Sequence, residues 1–194
     1  MRKRHLGLLV ILTLLLLQIL PVFGFAADGA DIIIDNNDPG CSVQGEWTKG
    51  TYNSDFYGSN YLSDNTAGAD EDKSVTFTPV IAAEALYRIY LWWPAGTNRP
   101  TEVPIEIQHR DGVDAGITVN MRANGGQWNL LGTYTLSKGE SNYVKILATA
   151  AGYTMADAVR FEEVVPDPLE GLQKPVQFAD TAGTRYQNAA DFLG

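Results

Sequence analysis

The chain has 194 residues, a formal net charge of −9 and a single cysteine, Cys41. Its 14 Lys and Arg against 23 Asp and Glu argue against nucleic acid as a partner, because binding to phosphate depends on clustered positive charge. One cysteine excludes an internal disulfide framework and a Cys-based zinc cluster, and an unpaired cysteine is expected as a small buried residue.

The chain opens with the basic cluster MRKRH and the apolar run Leu6 to Leu20. That pattern predicts a secretory signal peptide over residues 1–27, and the run is shorter than the roughly 20 residues of a spanning helix. Small residues suit cleavage after Gly24 or Ala26. Removing Arg2, Lys3 and Arg4 with that segment leaves 11 basic residues against 23 acids, a net charge of −12. The expected product is secreted or held at the cell surface, with no membrane insertion after cleavage.

From residue 28 to 165 the chain is a succession of short alternating runs bounded by Gly, Pro, Asn and Asp. IIID, SVQGEWT, KSVTFT, ALYRIYLWW, VPIEIQH, AGITVNM, QWNLLGTYTL, NYVKILA and ADAVRFEEV predict about nine strands. No stretch after the signal segment sustains an apolar stripe of helical period. In YRIYLWW, Tyr87, Ile89, Leu91 and Trp93 share the core phase, whereas Arg88, Tyr90 and Trp92 share the other. In the stretch after Gly125 and Gly126, the phase groups Trp128 with Leu130, Tyr134 and Leu136, although Leu131 breaks the alternation. Trp128 therefore reads as core, with a wall of a ligand cleft as the alternative. Half-buried antiparallel strands predict an all-β, jelly-roll-type β-sandwich that is a monomer. Residues 166–194 carry three of the nine prolines and predict a linker or tail.

The residues of the common catalytic motifs are missing: no G-x-S-x-G elbow, no phosphate-cradling glycine loop and no H-E-x-x-H. After the signal segment the one histidine is His109, on the apolar phase of VPIEIQH and without a partner to orient it as a base. The acidic loops Asp35 to Gly40 and Ser63 to Asp72 lack EF-hand spacing and read as turns. No enzyme is expected. Aromatic residues are the positive signal, because Trp47, Tyr52, Phe56, Tyr57 and Tyr61 crowd one segment among Gly, Ser, Asn and Asp. Aromatic faces beside polar forks suit a sugar ring.

IIIDNNDPGCSVQGEW, GSNYLSD, YRIYLWWPAGTNR, NGGQWNLLGTYTL and ADAVRF, in this order, closely resemble the golvesin C-terminal domain, which also ends bacterial xanthan lyases. A more distant likeness is to the carbohydrate-binding modules of families 6 and 35. The resemblance implies a non-catalytic module whose partner is an extracellular or cell-surface polysaccharide, with a protein-docking module or an accessory fragment of a degrading enzyme as the alternatives. It places Trp93, Asn98, Arg99 and Tyr153 near a sugar cleft. It also implies that Asp35 and Asp157 hold a structural calcium, the one metal expected, although IIIDN replaces the paired glutamates that open a family 6 module.

Overall fold

The computed structural model describes residues 29, 31–69 and 72–166, together with two short strands further on. The expected signal segment, residues 1–27, and nearly all of the tail beyond residue 166 lie outside the described residues.

In chain order the strands are β1 (Ile32–Asp35), β2 (Cys41–Gln44), β3 (Thr48–Gly50), β4 (Tyr61–Ser63), β5 (Ser74–Phe77), β6 (Ala85–Trp92) and β7 (Val103–His109). There follow β8 (Gly112–Val119), β9 (Asn129–Leu136), β10 (Tyr143–Leu147), β11 (Met155–Ala156) and β12 (Ala158–Glu163), then β13 (Phe178–Ala179) and β14 (Arg185–Tyr186). Twelve strands thus precede residue 164, against the nine that alternation predicts. The additional ones are β3, β4 and β11, each of two or three residues, which is too short for a period of two to show.

One sheet has the order β1-β12-β6-β9 and the second β2-β5-β10-β7-β8, all antiparallel. Tyr87, Ile89, Leu91 and Phe161 of the first sheet face Val75, Phe77, Ile105, Ile107, Val144 and Ile146 of the second in one buried cluster. Each such side chain contributes about 1.5–3 kcal/mol by leaving water, so this inter-sheet layer holds the sandwich together. The small sheet β11-β4-β3 adds Tyr61, Leu62, Met155 and Ala156 to the cluster.

Cys41 is half-buried rather than fully buried. Burial, then the charges of Asp35 and Asp38, push its thiol up to about 12, so the thiolate that reactive cysteine chemistry requires is suppressed. No helix among the described residues is long and apolar enough to cross a membrane.

Candidate functional site

The phase of β6 decides what the first sheet shows on its outer side. Tyr87, Ile89 and Leu91 point inward, so Tyr90 and Trp92 point outward. Across β12, Arg160 stands opposite Tyr90, and Ala158 stands opposite Trp92. On the other side, β9 pairs Gly132 with Ile89 but Leu130 with Tyr90, leaving Leu131 as an extra residue. Such a bulge reverses the phase of everything before it. Leu136 is buried and Leu131 packs against the core, whereas Leu130 is 56% exposed. Trp128 accordingly joins the outer face and not the core, a correction whose cause is the bulge.

The result is an aromatic cluster outside the core. The ring centroids of Tyr57, Trp92 and Trp128 lie 5.7 Å (Tyr57–Trp92), 5.2 Å (Tyr57–Trp128) and 5.3 Å (Trp92–Trp128) apart, in tilted or edge-on pairs. These are the arrangements the ring quadrupole favours. The Arg160 guanidinium carbon sits 4.2 Å from the Tyr90 centroid and 5.3 Å from that of Trp128. Tyr90 Oη donates to Glu162 Oε2 at 2.7 Å, and this bond is the first cause that raises the Tyr90 pKa. Arg160 is loosely paired with Asp31 at 3.7 Å and Glu162 at 3.8 Å, so the face is neither strongly basic nor strongly acidic.

The segment between β3 and β4 closes one end of the cluster, and its polar groups fix it there. Trp92 Nε1 donates to Asp55 O at 2.8 Å, Asn53 Nδ2 to Ala95 O at 2.7 Å, and the Tyr57 N–H to Asp157 Oδ2 at 2.9 Å. The turn before Trp128 completes the enclosure. A Cβ on Gly125 would stand 2.4 Å from Ala95 N, and Gly126 has φ +70°. The two glycines let this turn press against the strand end, and only then can Trp128 reach Trp92.

Asp35 and Asp157, the sequence-implied calcium ligands, meet on the same segment. Asp157 is wholly inaccessible and Asp35 half-buried. Asp157 accepts from Tyr57, and a Cβ on the next residue, Gly58, would stand 2.8 Å from Asp35 Oδ2. Asp157 Oδ1 and Asp35 Oδ2 are both buried without a hydrogen-bond partner. Burial first, and then the Asp35 charge, push the Asp157 carboxyl up to about 8, against the Tyr57 N–H, which lowers it. Two under-bonded carboxyl oxygens, one at the end of β1 and one just before β12, are of the oxygen type a hard cation takes, so the two residues fit as part of its donor set. No group of three or more His, Cys, Asp or Glu stands together among the described residues to form a larger metal cluster.

The four residues implied for the sugar cleft lie on adjoining loops. The Tyr153 N–H donates to Asn98 O at 3.1 Å. Trp93, however, is 3% exposed with Nε1 bonded to Ala123 O at 3.1 Å, and Arg99 is 7% exposed. Arg99 Nη1 donates to Asn98 Oδ1 at 2.8 Å; burial lowers its pKa, which Tyr61 and Asp64 oppose. Asn98 is exposed and Tyr153 half-buried. Arg99 is therefore not an exposed fork but an internal brace of its loop, and Trp93 is core. Sequence phase had no means of placing Tyr57, which enters the cluster from a loop; the broken alternation at Leu131 was the one available sign for Trp128.

His109 lies at the far end of β7, its ring 5.0 Å from Tyr134. Tyr134 donates to Asp114 at 2.8 Å, and burial followed by that bond push its phenol up to about 12, so it stays a protonated donor at neutral pH.

Residues 32–163 match the family model of the golvesin C-terminal domain. The chain is 39% identical over 138 residues to a xanthan lyase of Bacillus sp. (strain GL1), an alignment that covers 69% of this chain and 15% of that protein. The structure of a Paenibacillus xanthan lyase is similar over 70% of this chain and 13% of that one, with a TM-score of 0.66 and 40% identity. A family 35 carbohydrate binding module from Clostridium thermocellum shares the fold, with a TM-score of 0.53 and 14% identity over 70% of this chain and 99% of that one. The chain spans only a small part of the lyases, so their activity is not its own by this likeness. With the match running from the first strand of the sandwich to the last, the chain belongs to the golvesin C-terminal domain family.

Proposed function

We propose that this domain is a secreted, non-catalytic carbohydrate-binding module that takes polysaccharide on the outer face of its first sheet. The observation that carries the reading is the Tyr57–Trp92–Trp128 cluster, because three aromatic rings held outside the core have no packing role between the sheets. Sugar rings stack their C–H faces on such surfaces, and Arg160, Glu162 and Tyr90 supply donors and acceptors for hydroxyls beside them. The names of the relatives, xanthan lyases and a carbohydrate binding module, support the same class of ligand. Asp35 and Asp157 would hold a structural calcium, tying the first strand to the last; its part is structural.

The test is retardation of the purified domain in native gels cast with a panel of soluble polysaccharides. Retardation by at least one polymer, lost on Trp92→Ala, is the expected result. Unretarded migration across the panel would refute the reading. Ile33 and Leu130, 37% and 56% exposed on the row that holds Tyr90 and Arg160, favour a second reading as a protein-docking face. That reading predicts no retardation in any glycan gel.

A further inference from the structure

We infer that Asp157 is the positioning residue of the aromatic face, and that a divalent cation held by Asp35 and Asp157 sets the geometry of that face through Tyr57. The inference rests on the proposed binding face for its link to glycan, but not for its link to the cation. Three observations converge on one segment. Asp157 is wholly buried, accepts from the Tyr57 N–H at 2.9 Å, and keeps Oδ1 unpartnered. Asp35, on the neighbouring strand, directs an equally unpartnered Oδ2 at Gly58, the residue after Tyr57. The Tyr57 ring in turn touches both tryptophans, with centroids 5.7 Å and 5.2 Å away.

Asp35 and Asp157 each bring one unpartnered carboxyl oxygen to the same backbone stretch, and a cation bridging those two oxygens would tie the side chains to each other across the peptide between Tyr57 and Gly58. So bridged, the two side chains become a clamp, and the ring attached to that backbone is held against Trp92 and Trp128. Sites coupled in this way are linked reciprocally: whatever factor the cation adds to glycan affinity, glycan adds to cation affinity.

The experiment titrates calcium chloride into chelator-stripped protein and follows melting temperature and tryptophan emission, then repeats glycan retardation with calcium and with chelator. Calcium should raise the melting temperature and shift the emission, and chelator should weaken glycan affinity about five-fold or more. The emission shift should disappear in Trp128→Phe, and every calcium response should disappear in Asp157→Asn and in Asp35→Asn, which keep the side-chain volume. A calcium-dependent melting rise with unchanged emission would overturn the inference, leaving only a staple between strands. Absence of any calcium response in the parent would overturn it as well. Should no polysaccharide be retarded in either state, the proposed function fails, while the emission shift still decides the coupling.

Discussion

Replacing Trp93 by Ala and, separately, Trp128 by Ala separates the core from the face, because the two residues look alike in the sequence and differ in the fold. Trp93 is 3% exposed, belongs to the inter-sheet cluster, and donates to Ala123 O. Truncation there removes a buried indole and leaves a cavity, at a cost of about 4 kcal/mol. Trp128 loses its edge contacts with Tyr57 and Trp92 and the nearby Arg160 charge. Since its indole is only half-buried and these contacts overlap, their loss costs about 1–2 kcal/mol. At roughly 4 °C per kcal/mol for a domain of this size, Trp93→Ala should melt about 15 °C below the parent and Trp128→Ala about 4–8 °C below. Thermal unfolding followed by circular dichroism measures both. Equal losses, or a larger loss for Trp128→Ala, would show that Trp128 lies in the core after all and that the bulge at Leu131 has been misread.

Gly125→Ala, which sets a Cβ 2.4 Å from Ala95 N, should lower urea-unfolding stability by about 1–3 kcal/mol, whereas Gly116→Ala, whose nearest neighbour is Asp114 Oδ1 at 3.5 Å, should change it by less than about 0.5 kcal/mol. Arg99→Ala should destabilise by about 2 kcal/mol in the same assay, because it removes a buried side chain and its part-buried charge-assisted bond to Asn98, whereas Thr97→Ala in the same loop, at an exposed position, should be nearly neutral. Asp114 accepts from the Gly116 N–H and from Tyr134 Oη, and both bonds lower its pKa below 3.8. A depressed folded value means that this stabilisation is present above the unfolded pKa and is lost as pH falls through the folded one. Asp114→Asn should therefore flatten the acid limb of stability below about pH 4; an unchanged limb would assign it to other carboxylates.

The sandwich was readable because alternation reports directly on which face meets the core. Tyr87, Ile89, Leu91 and Trp93 fell on one phase and are all buried. Trp128 was misassigned by the same rule, since one inserted residue, Leu131, reverses the phase and a sequence does not mark where the partner strand skips it. Asp35 and Asp157 stand 122 positions apart in the chain and came together through the antiparallel pairing of β1 with β12, a proximity that the family resemblance implied and periodicity alone could not supply. The resemblance placed Arg99 near a sugar cleft, and a loop of Pro, Gly, Thr and Asn normally lies at the surface. The loop is at the surface, but its guanidinium folds back toward Tyr61 and Asp64. Tyr57 was beyond reach for a plainer reason: its place depends on the bonds of Trp92 to Asp55, of Asn53 to Ala95 and of its own N–H to Asp157, which couple three separate stretches of chain.

The most direct measurement is the polysaccharide affinity of four variants, each first shown to unfold cooperatively: Trp92→Ala and Trp128→Ala on the sheet face, Asn98→Ala and Tyr153→Ala on the loop rim. An aromatic anchor contributes about 2 kcal/mol or more to a binding face, which is about thirty-fold in Kd. The account predicts a loss of that size in gel retardation for both tryptophan variants and near-parent retardation for both rim variants. Parent-like retardation of Trp92→Ala and Trp128→Ala, with binding lost in Asn98→Ala or Tyr153→Ala, would contradict it and place the sugar in the loops.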